Sequence, residues 1–158
     1  LTADSGEASG LKWAAAASGG ANTALSNLSS VAVNATIDMN TNNLTNIQFL
    51  QLKAALEITI NATGVITVTQ SYHKVDTYED ASTDDCGTLD GSTTGQIIVL
   101  QSAEDARDPT FVDNSGSNPK MILAGNFTCD QNSDKLVLMS NVSSATSEVD
   151  EMSRSNND

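Results

Sequence analysis

Basic residues are scarce in this chain. Lys and Arg number 7 against 20 Asp and Glu, which leaves a net charge of −13 over 158 residues. The cations (Lys12, Lys53, Lys74, Arg107, Lys120, Lys135 and Arg154) are spread singly along the sequence. Binding a nucleic-acid backbone takes clustered Lys and Arg that displace its counterions, so nucleic acid is not expected as a partner. An anionic membrane surface is not expected for the same reason. Long apolar runs are lacking too: the longest span about five residues, where a membrane-crossing helix needs roughly 20, so no membrane insertion is expected. A leader peptide is not visible, since Leu1–Gly10 is polar. The chain does not begin with Met, from which a processed N-terminus or a piece of something longer is expected.

Catalytic groups are equally thin. The one histidine, His73, lies in TVTQSYHKVDTYED. It could act as a general base with Asp76, but no candidate nucleophile sits in a strained turn beside it. We expect a strand histidine at a surface or an interface. No GxSxG, P-loop, HExxH or GxGxxG pattern occurs. Cys86 and Cys129 belong to no CxxC or Cys/His grouping, which argues against zinc. Two readings stay open for them: a pair of small buried thiols, the favoured one, or a single disulfide if their strands are neighbours. No cofactor is expected.

What the chain has in quantity is short and polar. Charged residues make up 17% and aromatics 4%, while 39% is hydrophobic and sits in strand-sized runs. Ser, Thr, Asn, Asp and Gly fill the gaps; their side chains compete for nearby backbone groups and favour turns over helices. An all-β protein with many loops follows. The acidity reads as a repulsive coat that keeps exposed strands from pairing edge to edge.

Three zones divide the sequence. Residues 1–30 are linker-like, with a Gly-rich turn at Ser18-Gly19-Gly20 and anchors at Leu11 and Trp13. Residues 31–56 carry weak period-2 alternation (Val31, Val33, Ile37, Met39) and then Leu44, Ile47, Phe49 and Leu50. Strands this thin cannot form a core alone and become stable when copies from several chains wrap a shared axis. A short helix is expected over Phe49–Leu56. Residues 57–158 read as the tip: ten short strand candidates at regular spacing, with turn chemistry at Thr63-Gly64, Asp90-Gly91, Asp108-Pro109, Asn114-Ser115-Gly116 and Asn118-Pro119. That pattern indicates a β-sandwich of jelly-roll type. Ile58 and Ile60 alternate with polar neighbours, as do Ile66 and Val68, marking half-buried strands. Gln96–Leu100 and Leu136–Met139 are apolar on both faces, which implies a second hydrophobic neighbour such as another subunit.

Asp76, Glu79, Asp80, Asp84 and Asp85 crowd one stretch, which we read as a solvated loop. Asp80, Asp84 and Asp85 are weak candidates for a hard divalent cation, although the spacing of an EF-hand is absent. A glycosidase carboxylate pair is the third reading; it needs a defined separation and one raised pKa. Six Asn-x-Ser/Thr sequons occur, at Asn27, Asn34, Asn43, Asn61, Asn126 and Asn141. On a secreted chain they would suggest a glycosylated surface protein, but in so Asn- and Thr-rich a sequence they also arise by chance.

Leu1-Thr2-Ala3-Asp4-Ser5 followed by Gly10-Leu11-Lys12-Trp13-Ala14 resembles a module repeated in tailed-bacteriophage fibre and spike proteins. Ala21–Leu28 and Val31–Asn34 resemble a second phrase of such fibres. The stretches GVITVTQSYHKVDT, GSTTGQIIVLQS, AGNFTCDQNSDKLVLM and EMSRSNND are similar to a β-rich domain at fibre ends. The resemblance implies a structural, non-enzymatic homotrimer at the virion surface: a thin intertwined stalk, then a tip facing a host-surface glycan or protein. Other virion proteins would attach through the N-terminal side. Tail fibre, head fibre and capsid decoration share this vocabulary. Two competing readings are a glycosylated cellular filament or adhesin subunit and, more weakly, a glycan-depolymerising tailspike.

Overall fold

A computed structural model describes residues 47–142 and 147–157. The linker and most of the stalk segment (residues 1–46), with Trp13 and the sequons at Asn27, Asn34 and Asn43, lie outside the described residues. Residues 48–158 form one compact unit. It is all-β. The strands are β1 (Leu56–Thr59), β2 (Val65–Thr67), β3 (Tyr72–Asp76), β4 (Thr83–Cys86), β5 (Thr88–Asp90), β6 (Ile97–Ser102), β7 (Asp108–Phe111), β8 (Lys120–Ile122), β9 (Phe127–Thr128), β10 (Lys135–Val142) and β11 (Ser147–Ser155). A single 3₁₀ turn, Tyr78–Asp80, interrupts them.

The pairing is not that of a jelly roll. β1, β3 and β6 run parallel side by side, with Leu56 opposite His73 and His73 opposite Leu100. β4 is parallel to β7 and β2 is parallel to β5. Parallel neighbours need a long crossover, usually a helix. Here the crossover is made of strands on other faces, so the chain coils in a β-solenoid-like arrangement. The first coil is β1–β2 and the second β3–β4–β5; β6 and β7 stack in parallel on β3 and β4, while β8 meets β5 antiparallel at Thr88 and Lys120. β10 and β11 then form an antiparallel hairpin that joins β6 to β8, giving an eight-stranded sheet in the order β1-β3-β6-β10-β11-β8-β5-β2. β4, β7 and β9 make a separate three-stranded sheet. Turn spacing in a sequence looks the same for antiparallel hairpins and for coil corners, which is why the jelly-roll expectation failed.

Two corners depend on glycine. Gly64 and Gly91 adopt φ of 72° and 79°, values that cost side-chain-bearing residues steric strain. A Cβ on Gly64 would lie 2.9 Å from the Asp85 carbonyl oxygen, and one on Gly91 would lie 2.4 Å from that of Val68. Gly64 in turn accepts the Gly87 N–H at 3.0 Å, stitching the first coil to the second.

Inside the coils, alternate residues build one core. Ile66, Val75, Leu89, Ile98, Leu100, Phe111, Met121, Leu136 and Leu138 are fully buried. The two doubly apolar strands split: Ile98 and Leu100 point inward and Ile97 is 41% exposed; Leu136 and Leu138 point inward and Met139 is exposed. The helix expected over Phe49–Leu56 is absent. Residues 49–55 take no regular form and Leu56 already belongs to β1. Gln70 Nε2 donates to the Ala54 carbonyl at 2.8 Å and Leu56 pairs with β3, so the backbone here is drawn toward the sheet rather than into a helix, which at this length is marginal without tertiary packing.

Candidate functional site

The densest set of polar side chains surrounds the turn between β3 and β4. Here the expected solvated loop proves to be partly a strand, Thr83–Cys86, paired along its length with β7. Arg107 lies at the centre. Its Nη1 donates to Asp76 Oδ2 at 2.6 Å and to Asp80 Oδ1 at 2.7 Å. Asp76 is almost buried, while the Asp80 side chain is 80% exposed. The remaining oxygen of Asp76 accepts the Thr77 N–H. Asp84 accepts the N–H groups of Tyr78 and of Asp85, each at 2.9 Å. The Thr77 hydroxyl donates to the Ala81 carbonyl, closing the turn. Glu79 and Asp80 both sit in the left-handed region, with φ of 52° and 57°.

Each carboxylate in this cluster that is held is held by the protein's own groups. Asp80 turns toward Arg107, Asp84 caps the 3₁₀ turn, and Asp85 lies on β4. Among the described residues no three His, Cys, Asp or Glu side chains are grouped to hold a metal ion. Asp80, Asp84 and Asp85 are therefore neighbours in sequence that the fold does not converge on one point. The arrangement braces the chain where the second coil leaves β3 for β4.

His73 is the principal correction. The expected surface or interface position is wrong, because its ring is fully buried. Nε2 accepts the N–H groups of Thr69 and Gln70 at 3.1 and 3.2 Å, so the ring proton sits on Nδ1, which faces the Leu56 carbonyl at 3.0 Å. The ring thus meets the hydrogen-bonding needs of the turn before β3 and of the start of β1. It stands on the inner face of β3, and Asp76, three residues on, stands on the outer face. The two cannot act as an acid–base pair.

Cys86 and Cys129 are both free and buried. β7 runs between their strands: Cys86 is opposite Phe111, whereas the Cys129 N–H bonds to the Pro109 carbonyl. Burial pushes both thiols up to about 12, the carboxylate of Asp84 adding to the effect for Cys86 and that of Asp134 for Cys129. Of the sequons, Asn61 lies in an exposed turn, where its side-chain oxygen accepts from Thr63 and Val65. Asn126 Oδ1 accepts the Asp113 N–H, and Asn141 lies on β10.

Two further groups, Asp134 and Arg154, are engaged by the fold in ways the sequence does not indicate. Asp134, fully buried, accepts the backbone N–H of Asn157 at 2.8 Å and so ties the chain's end to the turn before β10. Burial works against its charge, but these bonds hold its carboxyl below the usual range. Arg154 donates from Nε to Glu151 Oε1 at 2.7 Å and from Nη2 to Glu151 Oε2. It also reaches the carbonyls of Gly125 and Asn126 and covers the Phe127 ring at 5.0 Å. Neither residue belongs to a motif, so only the fold could reveal them.

No protein-family model matches this chain, and neither a curated protein nor a solved structure matches it.

Proposed function

We propose that this chain is a structural surface protein of a tailed-phage virion, a fibre, spike or head-decoration subunit that works without catalysis. In this reading residues 31–56 form a thin intertwined homotrimeric stalk. The β unit that follows is the tip, facing a host-surface glycan or protein. The observation that carries the reading is the ordered series of fibre-like phrases, from Leu1–Ser5 through Gly10–Ala14 and Ala21–Asn34 to the tip. The internal engagement of the polar groups supports it. Arg107 is spent on Asp76 and Asp80, Arg154 on Glu151 and His73 on backbone groups. A general acid or base needs reach to a substrate proton, and the buried ring of His73 has none.

Peptide mass spectrometry on density-purified phage particles tests the proposal. Peptides of this chain should band with the particles in fixed ratio to the major capsid protein. Their recovery only in the host envelope fraction would overturn it. The exposed Asn61 sequon favours a second reading, a glycosylated cellular filament or adhesin subunit. A hexose-containing mass increment on Asn61 in protein taken from its native source would select that one.

A further inference from the structure

Large apolar side chains open to water are unevenly placed in the compact unit. Phe49 is 83% exposed, Leu50 75%, Leu52 37% and Leu56 49%, four of them within eight consecutive residues. Together they leave on the order of a few hundred Å² of apolar surface in water, the scale of the patches that on a monomer are often functional. A specific interface should clear about 1,000 Å², so these four side chains would form the apolar centre of such an interface rather than the whole of it.

We infer that residues 49–56 are a self-association surface, and that its occupant is the same segment of further copies of this chain. This rests on the self-assembling reading above and names the surface it uses. Charge selects the occupant. In a chain of net charge −13, residues 48–56 contain no carboxylate and one cation, Lys53. Identical chains can therefore approach along this stretch without bringing acids together. Glu57, four residues on and exposed on β1, can meet Lys53 of a neighbouring copy. Among the described residues β1 is also a terminal strand of the eight-stranded sheet.

The outer sheet face around Ile97 and Met139 is the rival surface, since both are also exposed and lie opposite each other on β6 and β10. Analytical ultracentrifugation of the full chain and of two double variants separates them. The wild type should sediment as an oligomer. Phe49→Asp/Leu50→Asp should sediment as a 16.4 kDa monomer with an unchanged circular dichroism spectrum, and Ile97→Asp/Met139→Asp should stay assembled. An assembled wild type with an equally assembled Phe49→Asp/Leu50→Asp variant overturns this surface and leaves self-assembly standing. A monomeric wild type overturns both. Should the double-Asp variant precipitate, Leu50→Cys decides. Mild oxidation should link chains through the new thiol, Cys86 and Cys129 being buried, and absence of linked chains refutes the inference.

Discussion

Replacing Arg154 by Ala tests how the last strand is held. The guanidinium donates two charge-assisted bonds to Glu151, donates to two backbone carbonyls at 2.9 and 3.3 Å, and covers the Phe127 ring. Glu151 passes the restraint on by accepting the Ala124 N–H at 2.8 Å. One arginine thus ties β11 to the turn between β8 and β9. Its side chain is 26% exposed and that of Glu151 12%, so water screens the pair only partly. A hydrogen bond to a charged group contributes about 1.5–3 kcal/mol where it is buried, and an exposed ion pair little. Taking the lower figure for the ion pair and adding about 0.5–1 kcal/mol for the ring contact, the loss should be about 2–2.5 kcal/mol. With an m-value of about 2 kcal/mol/M, the urea midpoint falls by roughly 1 M. Far-UV circular dichroism is the readout, since Trp13 lies outside the described residues. The pH dependence has a definite sign. Arg154 holds the Glu151 carboxyl below its ordinary value of 4.5. The stabilisation is therefore fully present above that value and is lost as pH falls through the lower folded-state value. The gap between wild type and Arg154→Ala should be widest near neutrality and shrink in acid below the ordinary Glu range. A loss under about 0.5 kcal/mol at pH 7, or a gap that does not change with pH, would refute the reasoning.

His73→Phe keeps the ring's bulk but orphans the N–H groups of Thr69 and Gln70 and the Leu56 carbonyl. It should cost about 2–5 kcal/mol in denaturant unfolding, and nitrogen shifts of the wild-type imidazole should place the proton on Nδ1. Asp76→Ala should destabilise by about 2–3 kcal/mol, because it strips a nearly buried partner from Arg107. Asp80→Ala, at the far more exposed end of the same bridge, should change stability by under about 0.5 kcal/mol; equal losses would contradict the geometry. Cys86 and Cys129, buried and with thiols pushed up to about 12, should resist a thiol reagent at pH 8 until denaturant is added. Fast labelling of the native protein would contradict their burial.

Much of the strand pattern was legible, and the reasons differ by element. Ile66, Ile98 and Leu138 sit on runs whose alternation or apolar density marks a strand whichever way it pairs. β4 escaped because Thr83-Asp84-Asp85-Cys86 shows no alternation: only Cys86 is buried, and the strand exists because its backbone pairs with β7. The parallel pairing escaped for a more general reason. Turn residues such as Thr63-Gly64 and Asp90-Gly91 mark a change of direction but not whether the next strand lies beside the last or one coil higher. The polar braces were the least legible. Asp76 and Arg107 are brought together by stacking of coils, and Arg154 and Phe127 by the return of β11 past β9, and their residue types carry no trace of it. His73 shows the same limit, since the groups that welcome it inside are backbone amides and a carbonyl.

Immunogold electron microscopy of phage particles, with antibody raised against this chain, tests the central claim most directly. The account predicts gold on the outside of the particle, on a fibre, a spike or the capsid surface. Gold confined to the host cell envelope or its filaments, with bare particles, would contradict it.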